Sequence, residues 1–364
     1  RRISSAASDV YKRQDKIGIK EFNKKCDDKI GQLSQSWTPQ YRKLGRLADF
    51  NNVYMTRDLT YMESCLWVFK TLWKKGLIYR GHQVLPYSWS CQTPLSNFEA
   101  SQNYKEITTL SIYVKFKLST GQRQNIGDDK WHKYPTYLLA WTTTPWSLTC
   151  NLALCVNRAI KYVKVFRNDE VIIVAENAVN EIFGKKTSKN DYTIVDEFTG
   201  EVLIGLEYEP IYGYFKKGIL DDENSKQHYH ILEDDYVKGD NTGTGIVHQA
   251  PAFGEDDYRV CEQKGLVNNK TISQYCPIDD KGQFTKMISG YEGRLIFDCD
   301  DDIREELKKS GHLIKVKKII HSYPFCSRTD KPLIYRTMES FFVKVTDLKA
   351  VSYTHLTLPT IFAV

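Results

Sequence analysis

The chain has 364 residues, of which 41% are hydrophobic, 26% charged and 13% aromatic, so it can bury at least one sizeable core. No run approaches the roughly 18 consecutive apolar residues that a transmembrane helix needs, and the sequence predicts no membrane partner. Its nine cysteines are an odd number, widely spread and without a Cys-x-x-Cys pair. This usage indicates reduced thiols and a cytoplasmic location.

The two ends of the chain differ from the rest. Residues 1–14 and 351–364 resemble translated sequencing-library adapter, and we set them aside as artefacts. An Arg- and Ser-rich transit peptide is the alternative for residues 1–14, but it leaves the other end unexplained. Half of the net charge of +6 lies in these ends, since 47 basic and 44 acidic residues remain without them. This small excess of basic residues allows a nucleic-acid partner but does not indicate one.

The first part of the chain reads as helical. From residue 15 to about 81, and most clearly at 58–76, apolar residues recur at three- and four-residue spacing. Gly76 is expected to end this helix, and the lysines of its last turn suit the partial negative charge of a helix C-terminus. We therefore expect an ordinary packed helix here.

A sheet domain is predicted after Pro86. Apolar and polar residues alternate over 110–118, as in a half-buried strand. Further strands are predicted at 137–144, 152–156, 161–166, 171–175, 192–195, 201–206, 228–233 and 246–249, and helices at 176–183, 256–264 and 301–310. The mixture predicts an α+β domain with a barrel-like sheet, joined on both sides to another domain.

Two runs carry candidate chemistry. The first ends an apolar strand and reads Trp141-Thr142-Thr143-Thr144-Pro145-Trp146, followed by Asn151. Its hydroxyls could hydrogen-bond a sugar, a water or an ester carbonyl, although a plain strand end explains the residues equally well.

The second run spans residues 243–258, where a glycine-flanked strand ends at His248 and three acids, Glu255, Asp256 and Asp257, open a helix. Helix capping accounts for two of these acids but not for all three beside a histidine, and a lone histidine is more often structural than catalytic. The glycine spacing matches neither a P-loop nor a Gly-x-Gly-x-x-Gly fingerprint, so we expect no nucleotide site there.

Together the two runs resemble the signature segments of the editing domain inserted into isoleucyl-tRNA synthetases. The resemblance spans roughly residues 15–350. Within the isoleucyl family, the segments that flank the two runs resemble the eukaryotic cytosolic branch. Valyl and leucyl synthetases carry Thr-Thr-Arg-Pro where this chain has Thr143-Thr144-Pro145-Trp146. Further matching segments are GIKEFN at 18–23, GRLADF at 45–50, TPLSNFEA at 93–100 and YPFC at 323–326.

The resemblance implies a β-rich, barrel-like editing domain at 91–322, inserted into an incomplete α/β catalytic domain of the Rossmann type. Residues 15–90 and 323–350 would be the catalytic parts before and after the insertion. The family's two ATP-binding motifs, of the His-Ile-Gly-His and Lys-Met-Ser-Lys-Ser type, are absent from the sequence. ATP is therefore implied for the parent enzyme, and this piece should not activate isoleucine alone. We expect no zinc, because only Cys91 and Cys326 remain of a four-cysteine knuckle.

The resemblance also implies that the site hydrolyses valyl-tRNA(Ile) at the 3′-terminal adenosine ester. Asp257 would pair with the α-ammonium of the amino acid, while Thr142, Thr143, Thr144 and His248 would line the pocket and hold the water or the ribose. The substrate-binding residues would be Trp141, Asn151 and Asp256. The implied partners are the 3′ end of tRNA(Ile), isoleucine and valine as amino-acid moieties, and a multi-synthetase assembly.

Two alternatives stay open. One is the editing domain of a valyl or leucyl synthetase, against which the Trp-Thr-Thr-Thr-Pro-Trp run argues. The other is a non-catalytic tRNA-binding module with a decayed pocket, in which the same residues survive only as strand ends and caps. Hydrolysis of the ester separates an editing enzyme from a binding module, because hydrolysis needs Asp257 and binding of tRNA does not.

Overall fold

A computed structural model describes residues 17–125, 129–184, 192–216, 228–239 and 243–349. The chain divides into two compact units, one formed by residues up to Gly81 and from Glu339 onward, the other by His82–Met338. Within the described residues, no helix is long and apolar enough to cross a membrane.

The first unit contains helix α1 (Ile19–Lys43), helix α2 (Leu59–Lys74) and the outer parts of two strands, β1 (Ile78–Ser88) and β13 (Ile334–Val343). The predicted helix at 58–76 is confirmed, and it ends as expected at Gly76, whose φ is +68°. The Gly76 and Leu77 amides bond back to the carbonyls of Trp73 and Leu72, the pattern of a Schellman cap. The helical prediction extended too far, because β1 already begins at Ile78.

Neither α1 nor α2 contains a buried residue. Two aromatic rings of α2 contact β13: the Phe69 and Trp73 rings lie 5.5 and 6.0 Å from the ring of Phe341. The described residues of this unit hold two helices and the ends of two strands, so a Rossmann-type identity stays a prediction.

The second unit is a mixed α/β structure built on three sheets. Its main sheet has the order β12-β3-β4-β7-β6-β8, and β9 pairs with the end of β3. All neighbours are antiparallel except β4 and β7, which are parallel. The strands are β3 (Tyr104–Leu118), β4 (Thr136–Thr142), β6 (Lys161–Arg167), β7 (Glu170–Ala175), β8 (Thr193–Thr199), β9 (Tyr208–Glu209) and β12 (Leu313–Pro324).

The two smaller sheets have three strands each. In one, β5 (Ala153–Val156) lies between β10 (Ile231–Glu233) and β11 (Val247–Gln249); in the other, β1 lies between β13 and β2 (Thr93–Pro94). The helices of this unit are α3 (Asn97–Ser101), α4 (Val179–Phe183), α5 (Glu255–Gln263) and α6 (Asp300–Lys309).

The main sheet differs from the predicted barrel-like sheet. Among the described strands, β12 and β8 are its two edges and do not pair with each other, so it is open. The chain leaves β4 through a short turn and enters the smaller sheet at β5 instead of extending the large one. Apolar residues cover both faces of the main sheet, in one large and one small buried cluster.

Two further expectations are corrected, and one strand was missed. Strand β3 is covered on both faces over 111–116, not half-buried, because Tyr113 packs in the small cluster and Lys115 pairs with Glu170 at 2.6 Å. Residues 201–206 form no strand, since Gly200–Leu203 is a 3-10 turn. Strand β12 was not predicted, because its lysine-rich sequence is typical of a sheet edge and hides the alternation.

The fold makes a prediction at Gly245, where φ is +74° and an added Cβ would lie 2.6 Å from the Cβ of Ala175. Gly245→Ala should therefore combine left-handed strain with a clash in the core. Gly290→Ala is the matched control, because its φ is also positive, at +93°, but no atom lies within 4 Å of its added Cβ. We expect Gly245→Ala to lose roughly 1–3 kcal/mol more free energy of unfolding than Gly290→Ala in urea denaturation. Equal losses would show that no close approach exists.

Candidate active site

Strand pairing brings the two sequence runs together. After β4 the chain makes a buried 3-10 turn, Pro145–Cys150, and continues into β5. Strand β5 pairs antiparallel with β11, which sets His248 opposite Leu154. Helix α5 then begins after a short Pro/Gly loop. The end of β4, strand β11 and the first turn of α5 thus meet at one place.

A cavity of about 360 Å³ lies there. It is lined by the end of β4, the segment before β11, His248 and the first turn of α5, in full Trp141, Thr142, Thr143, Tyr236, Val237, Lys238, Gly243, Thr244, Gly245, Ile246, Val247, His248 and Asp257. Five of the eight predicted site residues therefore share one cavity: Trp141, Thr142, Thr143, His248 and Asp257. Its volume is within the usual range for small-molecule sites.

The three threonines have different surroundings. Thr142 accepts a hydrogen bond from the amide of Thr144 at 3.1 Å, and its hydroxyl lies 3.3 Å from that of Thr144. Thr144 is outside the cavity lining, and its hydroxyl lies 3.0 Å from that of Ser147. Thr143 lines the cavity. Its hydroxyl has no hydrogen-bond partner among the described residues. Thr143 is thus the threonine with a hydroxyl available to a ligand.

His248 is buried and neutral at pH 7. Its Nε2 lies 3.1 Å from the hydroxyl of Ser147, whereas its Nδ1 is buried without a hydrogen-bond partner among the described residues. Burial disfavours the imidazolium and lowers the pKa of His248 to about 4. A neutral imidazole in a cavity can accept a hydrogen bond or a proton.

Asp257 is the acidic group among the described residues that line the cavity. Its Oδ2 accepts a hydrogen bond of 2.9 Å from the Ala250 amide, in the loop between β11 and α5. Burial raises the pKa of Asp257 to about 6, although the Ala250 amide acts in the opposite direction. The carboxylate is still mostly ionised at pH 7 and can attract a cation.

Asn151 and Asp256, like Thr144, lie outside the cavity lining. The Asn151 side chain is buried, donates to the Ala153 carbonyl at 2.8 Å and accepts from the Tyr208 hydroxyl at 2.6 Å. These bonds fix the start of β5. Asp256 is exposed and pairs with Arg259 at 3.1 Å, one turn along the surface of α5.

Sequence reasoning missed residues that support the site. Ser147 touches both Thr144 and His248. Asp300, at the start of α6, accepts the Trp146 amide at 2.9 Å, and burial raises its pKa to about 7. Gly254 leaves the space that the Asp257 carboxylate fills, since an added Cβ would lie 2.6 Å from its Cγ. Only the Gly254 position had a local signal, because a glycine before three acids marks a helix start.

The cysteines expected as remnants lie together. The Sγ atoms of Cys91 and Cys326 are 3.9 Å apart, and both side chains are buried. The hydroxyls of Ser88, Ser90 and Thr329 lie nearby, and the Arg328 guanidinium interacts electrostatically with both thiols. Among the described residues, no group of three or more His, Cys, Asp or Glu side chains could hold a metal ion.

Comparison with known proteins identifies the class. The family model of class I tRNA synthetases (I, L, M and V) matches residues 4–362, and the chain belongs to this family. The match extends into both ends predicted to be artefacts, which lie outside the described residues.

Similar curated relatives are isoleucine–tRNA ligases. The chain is 41% identical to the cytoplasmic enzyme of Arabidopsis thaliana, with 92% of this chain and 29% of the relative covered. For the cytoplasmic enzyme of Mus musculus the identity is 42%, over 91% of this chain and 25% of the relative. The chain thus spans less than a third of the length of these relatives.

Solved structures give a weaker likeness. The crystal structure of GlLeuRS-CP1 matches with a TM-score of 0.40 and 17% identity, covering 57% of this chain and 99% of that one. The P. knowlesi cytosolic leucyl-tRNA synthetase editing domain gives a TM-score of 0.39 and 14% identity, covering 59% and 96%.

The raised pKa of Asp257 predicts a pH effect on stability. Between about pH 4 and pH 6 the folded chain keeps a proton on Asp257 that the unfolded chain has released. This contribution is fully present at low pH and is lost as the pH rises through 6. We therefore expect the free energy of unfolding of Asp257→Asn to fall less steeply with pH than that of the wild type over this interval. Urea titrations at a series of pH values test this, and parallel curves would contradict it.

Proposed function

We propose that this chain is the editing part of an isoleucine–tRNA ligase and that its cavity hydrolyses valyl-tRNA(Ile) at the 3′-terminal adenosine ester. The observation that carries the proposal is one cavity lined by Thr142, Thr143, His248 and Asp257, from two runs about a hundred residues apart. Family membership and the names of the relatives supply the substrate class.

Recognition energetics explain why such a site is needed. A pocket for isoleucine cannot strongly exclude valine, because one missing methylene changes binding by only about 1–3 kcal/mol; that figure comes from the isoleucyl enzymes themselves and is not a result from this chain. A second site can reject isoleucine by steric clash, which discriminates more strongly than a lost contact. The editing pocket would therefore admit the valyl ester and exclude the isoleucyl ester.

Asp257 would anchor the substrate. The α-ammonium group of the aminoacyl ester carries a positive charge next to the ester carbonyl. Among the described residues that line the cavity, Asp257 is the acidic one. A charge-assisted hydrogen bond is about twice as strong as a neutral one. Pairing with Asp257 would fix the position of the carbonyl carbon relative to the groups at the end of β4.

Hydrolysis then needs a positioned water. The water attacks the carbonyl carbon, and the bond from that carbon to the ribose oxygen breaks. The ribose oxygen takes a proton from the water and becomes a hydroxyl. The products are valine and uncharged tRNA. The Thr143 hydroxyl and the neutral His248 imidazole would hold the water or the ribose. No nucleophilic side chain is required, because an ester is already activated and positioning supplies much of the rate.

The remaining features of the parent enzyme are also proposals. The first unit would belong to a Rossmann-type catalytic domain that binds ATP through motifs outside this chain. The two buried thiols would act in packing and not as zinc ligands. A cytoplasmic location fits the cytoplasmic relatives, and membership of a multi-synthetase assembly rests on the family resemblance alone.

The central test uses valine and isoleucine esterified to the same isoleucine-accepting tRNA. We expect the chain to hydrolyse valyl-tRNA and to spare isoleucyl-tRNA. Asp257→Ala should abolish this difference by lowering the valyl rate roughly 10- to 150-fold, the effect of a lost charge-assisted hydrogen bond. The measurement is release of the amino acid over time, corrected for spontaneous hydrolysis.

The other outcomes decide between the alternatives. Binding of tRNA without cleavage of either ester would favour the non-catalytic binding module. Cleavage of isoleucyl-tRNA at the valyl rate would refute the selectivity, and preference for another mischarged tRNA would favour a valyl or leucyl synthetase.

A second variant displaces Asp257 without changing it. The backbone of Gly254 has φ −120° and ψ 134°, which suit any residue, but an added Cβ would lie 2.7 Å from the Asp257 Oδ2. We expect Gly254→Ala to fold and to lower valyl-tRNA hydrolysis in the same direction as Asp257→Ala. Gly121→Ala is the control, since no atom lies within 4 Å of its added Cβ. An unchanged rate in Gly254→Ala would show that the position of the carboxylate is unimportant.

A further inference from the structure

Ser147 joins the threonine turn to His248. It lies in the buried turn Pro145–Cys150, and only 4% of its surface is exposed. Its hydroxyl oxygen is 2.7 Å from the Thr144 carbonyl oxygen, 3.0 Å from the Thr144 hydroxyl and 3.1 Å from Nε2 of His248. None of the sequence patterns singled out this residue.

Counting hydrogens assigns the direction of each bond. A hydroxyl has one hydrogen and two lone pairs, whereas a carbonyl oxygen only accepts. The single hydrogen of Ser147 goes to the Thr144 carbonyl at 2.7 Å. Toward His248 the serine can then only accept, so Nε2 must carry the ring hydrogen. The Thr144 hydroxyl can donate to the second lone pair of Ser147.

From this geometry we infer that Ser147 is a positioning residue that holds His248 in its Nε2–H tautomer and so leaves Nδ1 as the acceptor. The role of this tautomer in hydrolysis rests on the proposed function. Nδ1 is buried from solvent, so the tautomer would act on hydrolysis through the orientation of the His248 ring in the cavity wall.

The opposite tautomer is disfavoured at both ring nitrogens. It would bury an N–H at Nδ1, which has no partner among the described residues, and would turn a lone pair of Nε2 toward Ser147. The opposite tautomer would therefore leave both ring nitrogens without a hydrogen bond, whereas the Nε2–H tautomer leaves only the lone pair of Nδ1 unpaired. The ring is also neutral at pH 7, because burial lowers the pKa of His248 to about 4. Nδ1 is thus unprotonated at pH 7, and it is buried from solvent.

Imidazole nitrogen NMR on the full chain tests the tautomer directly. The chain has eight histidines, so the His248 signals are identified by their loss in His248→Gln. We expect the wild type to have a protonated Nε2 and an unprotonated Nδ1, and Ser147→Ala to mix the two tautomers. Ser147→Thr, which keeps the hydroxyl, should restore the wild-type pattern.

Thr149→Ala is the matched control for damage to the turn. The Thr149 hydroxyl is equally buried and also donates to the carbonyl three residues earlier, at 2.8 Å, but it does not touch His248. In valyl-tRNA hydrolysis we expect Ser147→Ala to lower kcat roughly tenfold or more with little change in KM. Thr149→Ala should keep both the tautomer and the kcat of the wild type.

The outcomes separate this inference from the proposed function. A protonated Nδ1 in the wild type, or an unchanged tautomer in Ser147→Ala, would overturn the inference. Equal changes in Ser147→Ala and Thr149→Ala would also overturn it, since the cause would then be the turn itself. If the tautomer depends on Ser147 but the wild type hydrolyses no ester, the inference on Ser147 stands and the proposed function fails.

Discussion

Strand β5 holds the site together through its antiparallel pairing with β11. Its four residues, Ala153–Val156, are all completely buried, and His248 lies opposite Leu154 in the ladder. A shift of this ladder by one residue would turn His248 to the other face of the sheet. The contact between His248 and Ser147, and the wall of the cavity that His248 forms, both depend on this register.

The polar groups of the site are placed where ionisation is unfavourable. Asp257 and Asp300 each accept one backbone amide, from Ala250 and Trp146, yet burial keeps the pKa of both well above the ordinary range. At neutral pH these carboxylates reduce the stability of the fold. Under the proposed function, a substrate ammonium next to Asp257 would relieve this penalty.

Much of the fold could be predicted from the sequence, because long periodic runs signal their own structure. Helix α2, strand β6 and helix α6 lie within two residues of their predicted bounds. Predictions failed where tertiary contacts decide the outcome: the lysine-rich edge strand β12 has a weak alternation, and Gly200–Leu203 is a turn despite its apolar residues.

The candidate site could be predicted only in part for the same reason. The runs around Thr142 and His248 carry local patterns, and the structure brings their residues to one cavity. Ser147 carries no such pattern, since a serine in a turn becomes informative only when strand pairing places a histidine beside it. Asn151 and Asp256 look equally polar in the sequence, but one is buried under Tyr208 and the other is exposed beside Arg259.

The pairing of β12 with β3 has a consequence for synthesis of the chain. Strand β3 bonds with β4, which follows soon after it, but its other long partner begins only at Leu313, opposite Val114. During synthesis on the ribosome, the edge of β3 that pairs with β12 therefore stays unpaired until almost the whole second unit has emerged. An unpaired strand edge is a template for association with other chains. The nascent chain thus exposes this edge until β12 has been made.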